Sequence, residues 1–301
     1  MKHIFVINPI AGKQNNIEEF ENSISSSMSK LGFNYEIVRT TAPNNVRQDL
    51  ENIINPCEET KIYACGGDGT LNDVVNGTIN YENVYITHYP MGSGNDFIKI
   101  FGDCKDKFRD LDNFSETDYS EFDLIEANER YCINISSIGI DARIGVEMSK
   151  YKKLPFISGK AAYILSVVFN VIKGINKHMI IDIDNVHLDN KYALVCACNG
   201  RYYGGGFNPV PDAVPNDKTI DVLVVKKCSR FTVASIVGKY AKGKYKDYPE
   251  LITHYRTDTL TVSTDKITPI NVDGEILPTN TVIFKISDKK VKFFYPKGLS
   301  F

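Results

Sequence analysis

The sequence has no CxxC pair, no HExxH motif and no excess of positive charge. It also has no apolar run approaching the roughly 18 residues that a membrane-spanning helix needs. Each absence closes off a class. The seven cysteines, Cys57, Cys65, Cys104, Cys132, Cys196, Cys198 and Cys228, are odd in number and lack ligand spacing. That excludes a disulfide framework and a zinc ribbon. Free thiols fit a reducing compartment, so a cytoplasmic protein is expected. Cys196 and Cys198 in ALVCACNG share one face of a predicted strand, where thiols pack as small apolar groups. The five histidines are scattered, which argues against a histidine-bound catalytic metal. A net charge of -2 speaks against a general nucleic-acid binder. The longest apolar stretch, residues 161–175, is broken by Ser166, Asn170 and Lys173 and reads as a buried core helix. The opening MKHIFVINPIAG has one early lysine and too short an apolar run for a secretory signal. There is no internal repeat and no low-complexity linker.

What is present is ordinary globular material: 301 residues, 43% hydrophobic and 24% charged. That length suggests two domains of about 100–200 residues each. HIFVIN, YEIVRT, KIYACGG and NVYITHYP read as strands. Helical stretches separate them, carrying Ile17, Phe20, Ile24, Met28 and Leu31, then Val46, Leu50 and Ile53, then Leu71, Val74 and Val75. This alternation predicts βαβ units and a parallel sheet. After about residue 121 the rhythm becomes successive strands, through to NTVIFKISDKKVKFFYP, with helices expected only near 155–175 and 230–242. The expected fold is α/β plus all-β: a Rossmann-like nucleotide domain over 1–121, to which the tail from about 296 to 301 returns, and an antiparallel β-sandwich over 122–295.

Three glycine-bearing loops carry the chemistry. Gly66-Gly67-Asp68-Gly69-Thr70-Leu71-Asn72 leaves the third strand and opens a helix. Glycine lets backbone N–H groups approach phosphates closely, and a helix N-terminus adds positive potential. An aspartate beside phosphates requires either Mg²⁺ at the site or a role as proton acceptor for Asp68. Asn8-Pro9-Ile10-Ala11-Gly12-Lys13 follows the first strand, and Pro90-Met91-Gly92-Ser93-Gly94-Asn95-Asp96-Phe97 follows the fourth. Ligands of such sheets bind beyond the carboxyl ends of the strands, where all three loops fall. Far downstream, Asn271-Val272-Asp273-Gly274-Glu275 has the form of a hairpin turn and supplies two acids.

NPIAGK, GGDGTLNDVVNG, PMGSGNDF and VDGE, in this order, resemble the diacylglycerol kinase catalytic family, especially its soluble bacterial lipid kinases. The resemblance runs from about residue 3 to 296 and takes in CINISSIGIDA, Asn199-Gly200 and Pro211-Asp212-Ala213. GGDGT alone is shared with NAD kinases; PMGSGNDF and the late DGE favour the lipid branch. The resemblance implies an ATP- and Mg²⁺-dependent kinase that phosphorylates a membrane lipid, by default diacylglycerol, during transient peripheral contact with the membrane. Asn8, Pro9, Gly12, Thr40, Gly66, Gly67, Asp68, Gly69, Thr70, Asn72, Gly92, Ser93, Asn95 and Asp96 match nucleotide-site positions. Asp273 and Glu275 match the catalytic acids, with Glu275 as proton acceptor, alongside Asp68. A second-domain Mg²⁺ would fall on Asp217 and the carbonyls of Val214 and Thr219, oxygen ligands that suit a hard cation. The chain departs from the family pattern at Lys218, where glycine is usual, and at Ala11 and Ser93, where serine and threonine are common. The alternatives are a kinase of another lipid or of a small molecule such as NAD, and a catalytically silent lipid- or nucleotide-binding protein. Intact Asp68, Asp273 and Glu275 argue against silence.

Overall fold

A computed structural model describes residues 1–11, 17–42, 44–140 and 175–301. The expected helix near 155–175 therefore lies outside the described residues, apart from Ile175. The chain forms two compact units, Met1–Leu124 with Asp288–Phe301, and Ile125–Ser287.

The first unit is built on a six-stranded sheet in the order β2-β1-β3-β4-β15-β5. Strands β1 (Lys2–Ile7), β2 (Tyr35–Arg39), β3 (Thr60–Gly66) and β4 (Val84–Pro90) are mutually parallel. β1 and β3 are buried along almost their whole length. Continuous apolar strands of this kind need cover on both faces, which crossover helices supply. Helix α1 (Ile17–Leu31) buries Phe20, Ile24 and Met28 on one side, and Gly32, at φ +69°, ends it in a left-handed turn. Helix α2 (Val46–Leu50) is a short turn, and α3 (Asp68–Thr78) buries Leu71, Val74 and Val75. A fourth short helix, α4, spans Lys105–Arg109.

Strand β15 (Val291–Pro296) corrects the reading of KVKFFYP as part of the second half. It lies between β4 and β5 (Thr117–Phe122), parallel to the first and antiparallel to the second. Phe293 and Phe294 point to opposite faces, yet both are fully buried. Such a strand needs a sheet covered on both sides. Phe293 packs edge-on against Phe97 and tilted against Phe122, with ring centroids 5.2 and 5.7 Å away.

The second unit is a nine-stranded antiparallel sheet. The long strands β10 (Val186–Cys198) and β13 (Thr259–Val272) run side by side with β8 (Ile135–Gly139) and β9 (Lys177–Ile183) filling the same slot between them, end to end. Side chains from β11 (Ile220–Lys226) share one apolar core with those of β6 (Ile125–Ala127) and β14 (Glu275–Ile286), at the far end of the strand order. The sheet thus folds over on itself as a sandwich. The two remaining strands are β7 (Arg130–Cys132) and β12 (Ile252–Thr257). The opposite face of the sheet carries a second apolar cluster that holds Cys196 and Cys198 and is covered by helix α5 (Arg230–Tyr240) through Ile236 and Tyr240. Among the described residues no helix is long and apolar enough to cross a membrane.

Candidate active site

Because β1, β2, β3 and β4 are parallel, the loops that follow them emerge on one edge of the sheet. The order β2-β1-β3-β4 reverses direction between β1 and β3, which is where a doubly wound sheet opens a crevice for ligand. Asn8 and the glycine loop at Gly66 flank that point. Thr40 sits beside them, its N–H donating to the Ile7 carbonyl at 2.9 Å.

Hydrogen bonds tie the loops together. Asn8 Nδ2 donates to Thr70 Oγ1 at 3.2 Å, while Asn8 Oδ1 accepts from the N–H of Ile10 at 3.1 Å. Pro9 and Ile10 fill a turn closed by the Ala11 N–H on the Asn8 carbonyl at 3.1 Å. Gly12 and Lys13 lie outside the described residues. The Gly66 carbonyl accepts from Met91 N–H at 2.7 Å and from Gly92 N–H at 3.1 Å. It also receives Nε2 of the buried His88 at 3.0 Å. Burial lowers the His88 pKa to about 4, so the ring stays neutral.

Asp68 opens α3 directly after its N-cap, Gly67. Its Oδ1 accepts the backbone N–H of Asp96 and, at 3.4 Å, that of Phe97. The Asp96 carboxylate is buried and ion-paired with Lys99. Asn95, at φ +49°, closes its own turn, with Oδ1 accepting from Gly92 N–H at 3.0 Å and Nδ2 donating to the Gly92 carbonyl at 2.7 Å. Thr70 and Asn72 are buried, whereas Ser93 is exposed. The first turn of α3 has no intrahelical acceptors for its amides and opens at this edge, a geometry suited to an anion.

The glycines divide by task. A Cβ on Gly66 would lie 2.2 Å from Thr70 Oγ1, one on Gly92 2.5 Å from the Gly67 Cα, and one on Gly94 2.7 Å from Asp68 Oδ2. Gly92 and Gly94 are glycine because the loops pack against each other, and Gly66 because the Thr70 side chain, one turn further on, lies over it. A Cβ on Gly67 meets nothing closer than 3.4 Å, so packing within the protein does not require glycine at this position.

The two late acids belong to the second unit. Asp273 and Gly274 form the two-residue turn between β13 and β14, with Val272 paired to Glu275 and φ values of +50° and +99°. Positive φ at both positions is a type I′ hairpin, for which Asp-Gly is a preferred pair. The Asp273 carboxylate is anchored away from the turn. Oδ2 accepts Ile133 N–H at 2.7 Å, and Oδ1 accepts Asn134 N–H at 3.1 Å and Ile135 N–H at 3.0 Å. Cys132 Sγ also lies 3.0 Å from Oδ1. Burial and then the Asp273 charge push the Cys132 thiol well above its ordinary range, so it stays protonated. Asp273 therefore holds the hairpin in place. The Glu275 side chain is half-buried, and its carboxylate takes no hydrogen bond or ion pair among the described residues.

At the implied magnesium loop, Asp217 Oδ1 accepts the Thr219 N–H at 3.1 Å and Oδ2 is ion-paired with Arg256. Arg256 Nε also lies 3.5 Å from Asp221. A guanidinium already neutralises this carboxylate, so the loop as folded does not fit a Mg²⁺ on Asp217. Arg256, Lys99 and His88 escaped the reading of the sequence. Each lies outside a glycine-rich motif, and each contact follows from strand register or loop packing.

Comparison with known proteins agrees with this geometry. Residues 2–127 match the diacylglycerol kinase catalytic domain. Residues 134–295, more than half of the chain, match the YegS C-terminal NAD kinase beta sandwich-like domain. The chain is 26% identical over 248 residues to a Staphylococcus carnosus (strain TM300) protein, covering 82% of this chain and 80% of that one. It is 26% identical over 254 residues to one from Staphylococcus haemolyticus (strain JCSC1435), covering 80% and 81%. Both bear the name "putative lipid kinase". A solved Bacillus anthracis str. Sterne structure, described as a "putative diacylglycerol kinase", shares the fold with a TM-score of 0.78 at 22% identity, covering 99% of this chain and 98% of that one.

Proposed function

The chain belongs to the diacylglycerol kinase catalytic family, with a YegS-type C-terminal domain, and is a lipid kinase; from that premise we propose that it transfers the γ-phosphate of ATP to the hydroxyl of diacylglycerol. The supporting observation is the set of loops after β1, β3 and β4 at one edge of the sheet, the first tied to the second by Asn8 on Thr70 and the second to the third by Asp68. Phosphates of MgATP would rest on the amides opening α3, against the bare Cα of Gly67. Asp68 then serves as the tie between two loops, and Mg²⁺ arrives with the nucleotide and neutralises charge on the transferred group.

Glu275 is the acid assigned to the chemical step. The lipid hydroxyl oxygen attacks the γ-phosphorus, the bond to the bridging oxygen breaks, ADP leaves, and the hydroxyl proton passes to the carboxylate. Positioned acceptors of this kind contribute roughly 10²–10⁴-fold. Asp273 acts through position, fixing the turn that presents Glu275.

The deciding measurement is incubation with labelled ATP, Mg²⁺ and separate lipids in detergent micelles: diacylglycerol, a monoacylglycerol, a sphingoid base, ceramide and undecaprenol. Phosphatidic acid as the main product supports the assignment. Label in another lipid alone moves the substrate, and label in none of them removes the proposal.

A further inference from the structure

Residues 222–246 contain seven basic side chains and no acidic one, in a chain whose net charge is -2. This segment runs from β11 through α5 to the turn that follows. Helix α5 buries Ile236 and Tyr240 against the sheet, while its opposite stripe, Phe231, Ala234, Ser235 and Gly238, is exposed. Phe231 is 88% exposed, which is unusual for so large an apolar side chain. Lys226, Lys227 and Arg230 lie at one end of this stripe, and Lys242 and Lys244 at the other; all five are exposed. Lys226, Lys227, Lys242 and Lys244 form no ion pair among the described residues.

We propose that the exposed face of α5, with its flanking lysines, docks the protein on an anionic lipid bilayer. Phe231 would enter the boundary between headgroups and acyl chains. The small residues behind it let the helix lie flat, and the lysines would meet anionic headgroups on both sides. A nucleic acid backbone would satisfy the charge but would offer Phe231 no apolar medium. The proposal rests on the lipid kinase reading for its purpose, since the substrate lies in a membrane, but its test is independent of catalysis.

The full chain is sedimented with vesicles of phosphatidylcholine alone and with vesicles of phosphatidylcholine and phosphatidylglycerol in equal parts. Binding is expected only to the mixed vesicles. The Lys242→Glu/Lys244→Glu double variant should weaken it by at least about tenfold, because each surface cation contributes measurably near anionic lipid. Phe231→Ser should weaken it as well, and the remaining binding should vanish at high salt. Lys105→Glu/Lys107→Glu, an equal charge change on α4, should bind like the parent. Thermal denaturation checks that each variant is folded.

No binding by the parent, or equal loss in the α4 control, overturns the proposal. So does a Phe231→Ser variant that binds normally while heparin competes as well as vesicles, since any polyanion would then suffice. Kinase activity on micelle-dissolved lipid should persist in the α5 variants. Vesicle binding without any kinase activity would sink the functional reading and leave this one standing.

Discussion

The Asp68 carboxylate accepts the backbone N–H of Asp96, joining the loop after β3 to the loop after β4 across 28 positions of sequence. Asp68→Ala removes the acceptor and leaves amides beside a buried acid unpaired. The expected loss is about 1–3 kcal/mol of unfolding free energy together with weaker ATP binding, by denaturant titration and calorimetry. Asp68→Asn keeps one acceptor oxygen and should lose less stability. Equal stability of the alanine variant and the parent would show that the tie is idle.

Gly92 and Gly67 should respond oppositely to substitution. Gly92→Ala drives a Cβ against the Gly67 backbone at 2.5 Å, and overpacking of this kind costs roughly 1–3 kcal/mol. Gly67→Ala meets only ordinary contacts at 3.4 Å, so stability should change by less than about 1 kcal/mol while ATP affinity falls. Unchanged nucleotide affinity in the folded Gly67 variant would place the site elsewhere.

Glu275→Gln retains shape and removes basicity. The kcat should fall about 10²–10⁴-fold, with melting temperature and ATP affinity close to the parent's. Asp273→Ala strands three amides on the nearly buried residues Ile133, Asn134 and Ile135, so its main defect should be stability, by about 3 kcal/mol or more. A fully active Glu275→Gln enzyme would rule out the assignment.

Arg256 stands where a metal would neutralise Asp217. The melting temperature of the nucleotide-free protein should be the same in EDTA and in Mg²⁺. Arg256→Ala vacates the carboxylate, and Mg²⁺ should then stabilise the variant. A parent protein stabilised by Mg²⁺ without nucleotide would restore the metal to this loop.

Two buried rings set the acid limb of stability. His3, packed against Phe33 and Tyr63, and His88 both have folded pKa values lowered to about 4, chiefly by burial. The unfolded chain binds protons near the ordinary value of about 6.5. Neutral rings therefore stabilise the fold fully above that pH, and the contribution is lost as pH falls toward 4. Each ring can account for up to about 3 kcal/mol. His178 and His187 shift upward beside Asp265, Asp189 and Asp182, with opposite sign, but solvent screens both pairs. His3→Phe should flatten the limb between pH 6.5 and 4 in denaturation midpoints. An unchanged limb would assign it to other groups.

Much of the first unit was legible in the sequence because its signals are local. Apolar runs closed by Asn8-Pro9, by Gly66-Gly67 and by the Pro90 loop marked β1, β3 and β4, and the helical spacing of Phe20, Ile24 and Met28 marked α1. The DGE hairpin was equally readable, since Asp273 and Gly274 carry their own turn preference. Ile53 was misjudged: its spacing continued the helix of Val46 and Leu50, but α2 ends at Leu50. The domain boundary set at 121 and the return set at about 296 differ from units that break after Leu124 and resume at Asp288. The spacing of KVKFFYP suits a strand in either sheet, and only pairing with β4 and β5 chooses between them.

The sequence by itself determined the element types, the glycine-bearing loops at the sheet edge and the family of the chain, because each is written in contiguous residues whose backbone preferences act locally. Tertiary structure decided which glycines are required by close packing and that Gly67 is not one of them. It also decided that Asp273 anchors a turn while Glu275 is left available, and that Arg256 occupies Asp217. Those outcomes depend on register between segments dozens to more than a hundred positions apart, where one residue of slip would turn each side chain to the other face.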